Sequence, residues 1–397
     1  MKRGLYVACL LLCLPAACLS AAEAREETYK KQPGPHQVET ITYDWLDAAR
    51  DRTVPVRVYY PKAGGGPLPV ILFSHGLGGT RDGYVYLGRH WASHGYVSVH
   101  LQPTGSDDAV WRGKANPMQA MREAAAGPRN AIDRAGDVRF AIDRLEATDR
   151  DTPPLKGRLD LARLGMAGHS FGAHTTLAVA GQTYIPLLGK PKTADPRVKA
   201  AIPMSAPVPP RKRNLDAVYQ HIRIPCFHMT GTLDSSVIRE TDPKERRIPF
   251  DHTRGSDQYL VTFAGGDHMV FSGHRRRLGD GTKDPLFHDL IRQSTTAFWD
   301  AYLKGDAEAM AWFSGDGFAR LLGANGVFEK KTKRSAQRVA PAATEPAAVE
   351  PAAIEPAAIE PAAPEPAAVE PAAPEPAAVE PAAPEPAAGA AGHAPIR

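Results

Sequence analysis

Polar and apolar residues alternate from Gln37 to Trp45 and again from Thr53 to Tyr60, and this period of two predicts a pair of antiparallel strands. From Val70 the pattern changes to short apolar runs: Val70 to Phe73, Tyr96 to Leu101, Leu164 to Ala167, Val198 to Met204, Ile222 to Met229 and Tyr259 to Phe263. Each run has the length of a strand buried on both faces. Between them lie segments with helical spacing near Tyr84 to Ser93, Asn116 to Ala147 with a break at Gly127-Pro128, Phe171 to Ala180, and Leu286 to Leu303. Strand and helix therefore take turns, which predicts an α/β domain of the doubly wound kind.

One junction in this alternation carries chemistry. The apolar segment Leu159 to Ala167 runs into Gly168-His169-Ser170-Phe171-Gly172, which fits G-x-S-x-G, and a helical pattern follows directly. A strand turning sharply into a helix pushes the central side chain into a strained, exposed position, with the outer glycines allowing the reversal. Ser170 is the candidate nucleophile. The bland alternative, a turn of small residues, does not account for the strand before it and the helix after it.

A serine hydroxyl needs a histidine base and a carboxylate to orient that base. In this arrangement the chain order is Ser, acid, His. The run ending at Gly231 is followed by Thr232-Leu233-Asp234, and the run ending at Phe263 by Ala264-Gly265-Gly266-Asp267-His268. Both loops fall at the carboxyl ends of predicted parallel strands, so Asp234 and His268 are the candidate acid and base. Asp267 adjoins His268 too closely to orient its ring and is read as shaping the turn. Asp242 and Asp251 belong to a polar stretch, Glu240 to Ser256, read as a solvated surface loop. His169 and His174 are assigned to packing or a local hydrogen bond, and His94, His100 and His228 to structure. A zinc mechanism lacks both H-E-x-x-H and paired Cys-x-x-Cys.

An oxyanion needs backbone N–H donors. Phe171, directly after the nucleophile, supplies one expected donor. The run Pro69 to Phe73 leads into the glycine-rich Ser74-His75-Gly76-Leu77-Gly78-Gly79, where Leu77 is the second. Two inserts, Gln102 to Lys114 and Ile238 to Ser256, are placed to wall a pocket, with Trp111 a candidate substrate contact.

Phe73-Ser74-His75-Gly76-Leu77-Gly78, Trp91-Ala92-Ser93-His94-Gly95-Tyr96 and the Ser170 motif together resemble the α/β-hydrolase superfamily. Within it they are similar to secreted platelet-activating-factor acetylhydrolases and bacterial dienelactone-hydrolase-like esterases, over roughly Pro67 to Lys304. The resemblance implies the α/β-hydrolase fold, with a mostly parallel eight-stranded sheet and helices on both faces. It also implies a serine ester hydrolase that needs no cofactor, with Ser170 as nucleophile, His268 as base, and Leu77 and Phe171 as oxyanion donors. Two departures narrow it. The acetylhydrolases carry their acid soon after the strand that follows the nucleophile helix, and Ala200 to Ala206 holds no carboxylate. Asp234 has the later placement of dienelactone hydrolases and cutinases, but the former use a cysteine where this chain has Ser170.

Composition bears on location more than on chemistry. Lys2 and Arg3 precede an apolar stretch from Leu5 to Leu19 and then small residues, so residues 1–24 read as a secretory signal cleaved after Ala24 or Ala22. The stretch is short for a membrane span. Leu14 to Cys18 resembles a lipoprotein box with Pro15 in place of the usual leucine, and lipidation is the lesser reading. Removal of the leader leaves Cys226 alone, so no internal disulfide can form. Residues 25–339 then hold the catalytic domain. Residues 340–397 contain nine Glu-Pro-Ala-Ala-x units and carry a net charge of −8, which leaves +12 on the rest of a chain whose total is +4. Proline every fifth residue excludes a stable helix, so this tail is expected to be a disordered, extended spacer, with cell-envelope contact a candidate role. The basic junction Lys330 to Arg334 has no interleaved aromatics, which argues against nucleic acid as a partner. Two classes follow: a secreted or periplasmic esterase acting on small esters or lipids, with cutinase-like polyester cleavage as a variant, and a non-catalytic envelope-binding protein on a hydrolase scaffold.

Overall fold

The computed structural model describes residues 28–183, 193–236, 238, 241–273 and 280–332. All of these lie in one of two units of the chain, Met1–Pro341. The signal, lipoprotein and repeat-tail readings fall outside the described residues.

Among the described residues one sheet of nine strands runs in the order β1-β2-β4-β3-β5-β6-β7-β8-β9. Its strands are β1 (Val38–Asp47), β2 (Arg52–Pro61), β3 (Leu68–Ser74), β4 (Val97–Leu101), β5 (Leu159–His169), β6 (Val198–Met204), β7 (Cys226–Leu233), β8 (Gln258–Asp267) and β9 (Gly326–Lys331). The six from β4 to β8 are parallel, whereas β1 and β2 join antiparallel at one edge and β9 at the other. The expected eight strands are all present. The ninth went unread because Gly326 to Lys331 offers one apolar pair before its charges, and its strand state comes from pairing with β8.

The helices are α1 (Val85–Ser93), α2 (Pro117–Ala126), α3 (Pro128–Asp151), α4 (Phe171–Ala180), α5 (Leu215–Tyr219), α6 (Ile248–His252), α7 (Asp284–Trp299), α8 (Ala307–Ser314) and α9 (Gly317–Leu322). The break expected at Gly127-Pro128 separates α2 from α3, with Pro128 at the first position of α3, where its missing N–H is harmless. The period of two in the strands divides the core. Ile71 and Phe73 of β3 pack with α1, α7, α8 and α9, whereas Val70 and Leu72 pack on the other face with α3 and α4. Cys226, the single cysteine among the described residues, is buried in β7, and burial pushes its thiol up to about 12, consistent with an inert apolar side chain.

Strand order fixes where a ligand can sit. β3 continues to β4 on one side and to β5 on the other, so the loops after β3 and β5 diverge and leave a crevice at their carboxyl ends.

Candidate active site

Ser170 follows β5 and caps α4 with φ 55 and ψ −118, a conformation that a non-glycine residue holds only under constraint. The constraint is visible on both sides. A Cβ on Gly172 would lie 1.8 Å from the Ser74 carbonyl oxygen, and one on Gly168 would lie 2.4 Å from the Gly172 oxygen. Neither glycine has positive φ. They are required because β3, β5 and the first turn of α4 touch there, so the turn's torsional strain falls on the serine itself.

The sheet then delivers four loop residues side by side. On adjacent strands β5, β6, β7 and β8, the carboxyl ends bring Ser170, Ser205, Asp234 and His268 to one edge. His268 Nδ1 lies 2.7 Å from Asp234 Oδ1. Asp234 is fully buried and also accepts from Thr230 Oγ1 at 2.8 Å, while the guanidinium of buried Arg246 stands 3.4 Å from Oδ1. Burial alone would raise the carboxyl's pKa. The His268 hydrogen bond and charge, Arg246 and the Ser205 hydroxyl outweigh it and hold Asp234 well below the usual carboxylate range.

Ser170, His268, Leu77 and Trp111 line one cavity of about 530 Å³. The Leu77 loop is braced from below by Arg134 of α3, a fully buried guanidinium. Its Nη2 donates to Ser74 Oγ at 2.7 Å and to the His75 carbonyl, its Nη1 to Ser106 Oγ at 2.8 Å, and its Nε to Thr175 Oγ1 at 2.9 Å. The same group lies 4.8 Å from the centre of the Phe171 ring, so one side chain steadies both expected donor positions. Phe171 is the first residue of α4, where a backbone N–H has no carbonyl four residues earlier within the helix. Trp111 also has a structural task. Its Nε1 donates to the Gly78 carbonyl at 2.8 Å, and Gly78, at φ +73, has no room for a Cβ beneath the indole.

Tyr84, Arg134, Ser205 and Arg246 escaped the sequence reading. His169 does make the local hydrogen bond assigned to it: Tyr84 hydroxyl lies 2.8 Å from its Nδ1 and accepts from Gly76 N–H at 3.3 Å. Asp267 shapes the turn as expected, accepting from Met269 N–H at 2.9 Å. The polar stretch after Glu240 is not wholly a solvated loop, since Arg246 within it is buried against Asp234 and Ser205. An arginine among charged neighbours gives no sequence signal of this. The cavity's apolar wall comes from Pro117, Met118 and Met121 of α2 with Met269, adjacent to the expected inserts, of which Trp111 and Ile238 take part.

Residues 62–104, which span β3, the Leu77 loop, α1 and β4, match the family model described as platelet-activating factor acetylhydrolase, isoform II. Over longer stretches the chain is 26% identical to a platelet-activating factor acetylhydrolase of Cavia porcellus, covering 66% of this chain and 63% of that protein. It is 25% identical to cutinase est1 of Thermobifida alba, covering 48% of this chain and 51% of the relative. A second cutinase of that organism, est2, is 25% identical over 54% of this chain and 56% of its own length. The chain thus spans about half to just under two thirds of the length of these relatives.

Proposed function

We propose that this chain, whose architecture is the α/β-hydrolase fold, is a serine carboxylic-ester hydrolase in which Ser170, Asp234 and His268 act as the triad. One observation carries the reading: a strained serine at the end of β5 shares a cavity with a histidine whose Nδ1 is bonded to a buried carboxylate. The relatives' names, acetylhydrolase and cutinase, favour the same reaction class.

In this reaction His268 Nε2 takes the Ser170 proton as Oγ attacks the acyl carbon. The oxyanion of the tetrahedral intermediate is held by the N–H groups of Leu77 and Phe171. Collapse expels the alcohol, which takes the proton from His268 and leaves an acyl-serine. Water then gives a proton to His268 and attacks the acyl carbon, and the second collapse returns the proton to Ser170 and releases the acid. No metal or cofactor enters these steps. The Met118, Met121 and Met269 wall suits an aliphatic acyl chain, because methionine adapts its shape to varied apolar partners. Small acyl esters and acetylated lipid-like molecules are the proposed substrates. The placement of Asp234 after β7 favours polyester cleavage as the second reading. Export through residues 1–24 and envelope contact through the tail belong to the same proposal.

The test is a series of p-nitrophenyl esters of increasing acyl length, run beside a polyester film and a phospholipid, with Ser170→Ala as control. Wild type hydrolyses the esters, and the variant loses on the order of 10⁶ in turnover while melting unchanged. Substantial residual activity in Ser170→Ala would remove Ser170 as nucleophile.

A further inference from the structure

We propose that Ser205 is a positioning residue of this array: its hydroxyl donates to Asp234 and accepts from His268 Nδ1–H, which fixes the imidazole with Nε2 toward Ser170. The inference rests on the triad reading above. Ser205 follows β6, the strand between those that carry Ser170 and Asp234. Its Oγ lies 2.5 Å from each carboxylate oxygen of Asp234 and 2.8 Å from His268 Nδ1. A hydroxyl has one proton and two lone pairs. The carboxylate can only accept, so the Ser205 proton goes to Asp234 and a lone pair remains for Nδ1–H. That hydrogen is then shared between Asp234 Oδ1 at 2.7 Å and Ser205 Oγ at 2.8 Å. Both acceptors demand the same tautomer, protonated at Nδ1 and open at Nε2. A carboxylate alone would leave the ring freer to rock about its single contact.

The backbone around Ser205 is built to hold the hydroxyl there. Ser205 has φ 58, so besides Ser170 this crevice edge contains a second serine in the left-handed half of backbone space. Its N–H donates to the Met229 carbonyl at 2.7 Å, and its carbonyl accepts from Arg246 Nη1 at 3.2 Å. Arg246 Nε in turn donates to the Asp234 carbonyl at 3.2 Å. The guanidinium thus ties the backbones of positions 205 and 234 together, independently of the Ser205 side chain. Removing the hydroxyl therefore tests orientation without releasing the loop. The arrangement also accounts for a serine at a position where glycine would carry no torsional cost.

Two variants separate positioning from folding. Ser205→Ala keeps the torsional strain and loses the hydroxyl, whereas Ser205→Gly loses both and is expected to be the more stable of the two. For a hydrogen bond to a charged group, kcat on a p-nitrophenyl ester should fall about 10- to 100-fold in both variants, with KM within about twofold. Melting temperatures should not track that loss. In the Asp234→Asn background, Ser205→Ala should cost less than about threefold, because the two groups act through one ring. The downfield proton resonance of His268 Nδ1–H should be present in wild type and broadened or shifted in Ser205→Ala. Unchanged kcat in both variants, or a full additive loss in the Asp234→Asn background, would overturn the role of Ser205 while leaving the triad intact. Activity in Ser170→Ala would overturn the triad instead.

Discussion

Ser170 and Ser205 hold positive φ at neighbouring strand ends, and each is pinned by backbone hydrogen bonds from the next strand: Ser170 N–H to Met204 O and Ser205 N–H to Met229 O. Such residues cost of order 1–3 kcal/mol each, so the surrounding structure must over-determine them. Arg134 is part of that determination. Its partners Ser74, His75, Ser106 and Thr175 are neutral groups on three segments, and burial pushes the guanidinium down to about 10. Arg134→Met is expected to destabilise the fold by about 3 kcal/mol, since a buried carbonyl loses its donor and the packing over Phe171 changes. Thermal unfolding should register this as a fall of several degrees, and turnover should drop as the Leu77 loop loosens. A melting point within one degree of wild type would show that Arg134 is dispensable to the loop. Ser170, Asp234 and His268 could be picked out from the chain as candidates because strand, loop and chain order constrain them together. Arg134, Ser205 and Arg246 could not, because what makes them matter is which strand ends become neighbours, and that depends on the order β5-β6-β7-β8 in space.

At the scale of elements, the predicted α4 has the bounds expected, Phe171 to Ala180, because the elbow starts it and Gly181 at φ 125 stops it. β9 and the α8–α9 pair were not legible. Ala307 to Leu322 is broken by Gly315 and Gly317 into two helices too short for a period of 3.6 to stand out. α2 presents a different case. It is a ten-residue helix with no buried residue, capped by the Asn116 side chain, and it carries Met118 and Met121 to the cavity wall. Its side chains therefore serve the cavity more than the core. Met118→Ala with Met121→Ala should shift the melting point little. The same change should alter acyl preference, since each methylene gained or lost in an apolar pocket is worth about 1–3 kcal/mol of discrimination. The ratio of kcat/KM for C8 over C2 p-nitrophenyl esters is the measurement. A ratio unchanged beside a large loss of stability would mean that α2 is a packing element.

Across the whole molecule, buried imidazoles set the response to acid. Burial, joined by the Arg134 charge at His75, pushes His75, His90 and His100 down to about 3, and pushes His174 and His228 down to about 4. The unfolded chain binds protons at these groups near the ordinary value of about 6.5. Between about 6.5 and 4 it therefore holds more protons than the folded chain, and stability must fall as pH falls through that window. Asp234, held low by its partners, adds a further loss only below the ordinary carboxylate range. Urea unfolding at pH 7.5, 5.5 and 4.5 should give midpoints that descend steadily, with little change above pH 7. A flat profile would mean that these rings stay accessible to protons. The last strand carries a consequence of another kind. β9 pairs along β8, the strand that leads into His268, and sets Phe328 against the aromatic cluster around Tyr259 and Phe313. Until residue 331 has left the ribosome, the far edge of β8 has no partner and shows its ladder to any passing strand. Synthesis of this sheet thus has a closing moment, the arrival of β9. A nascent chain stalled before Gly326 would have every group of the proposed catalytic array already made, on a sheet still open to aggregation.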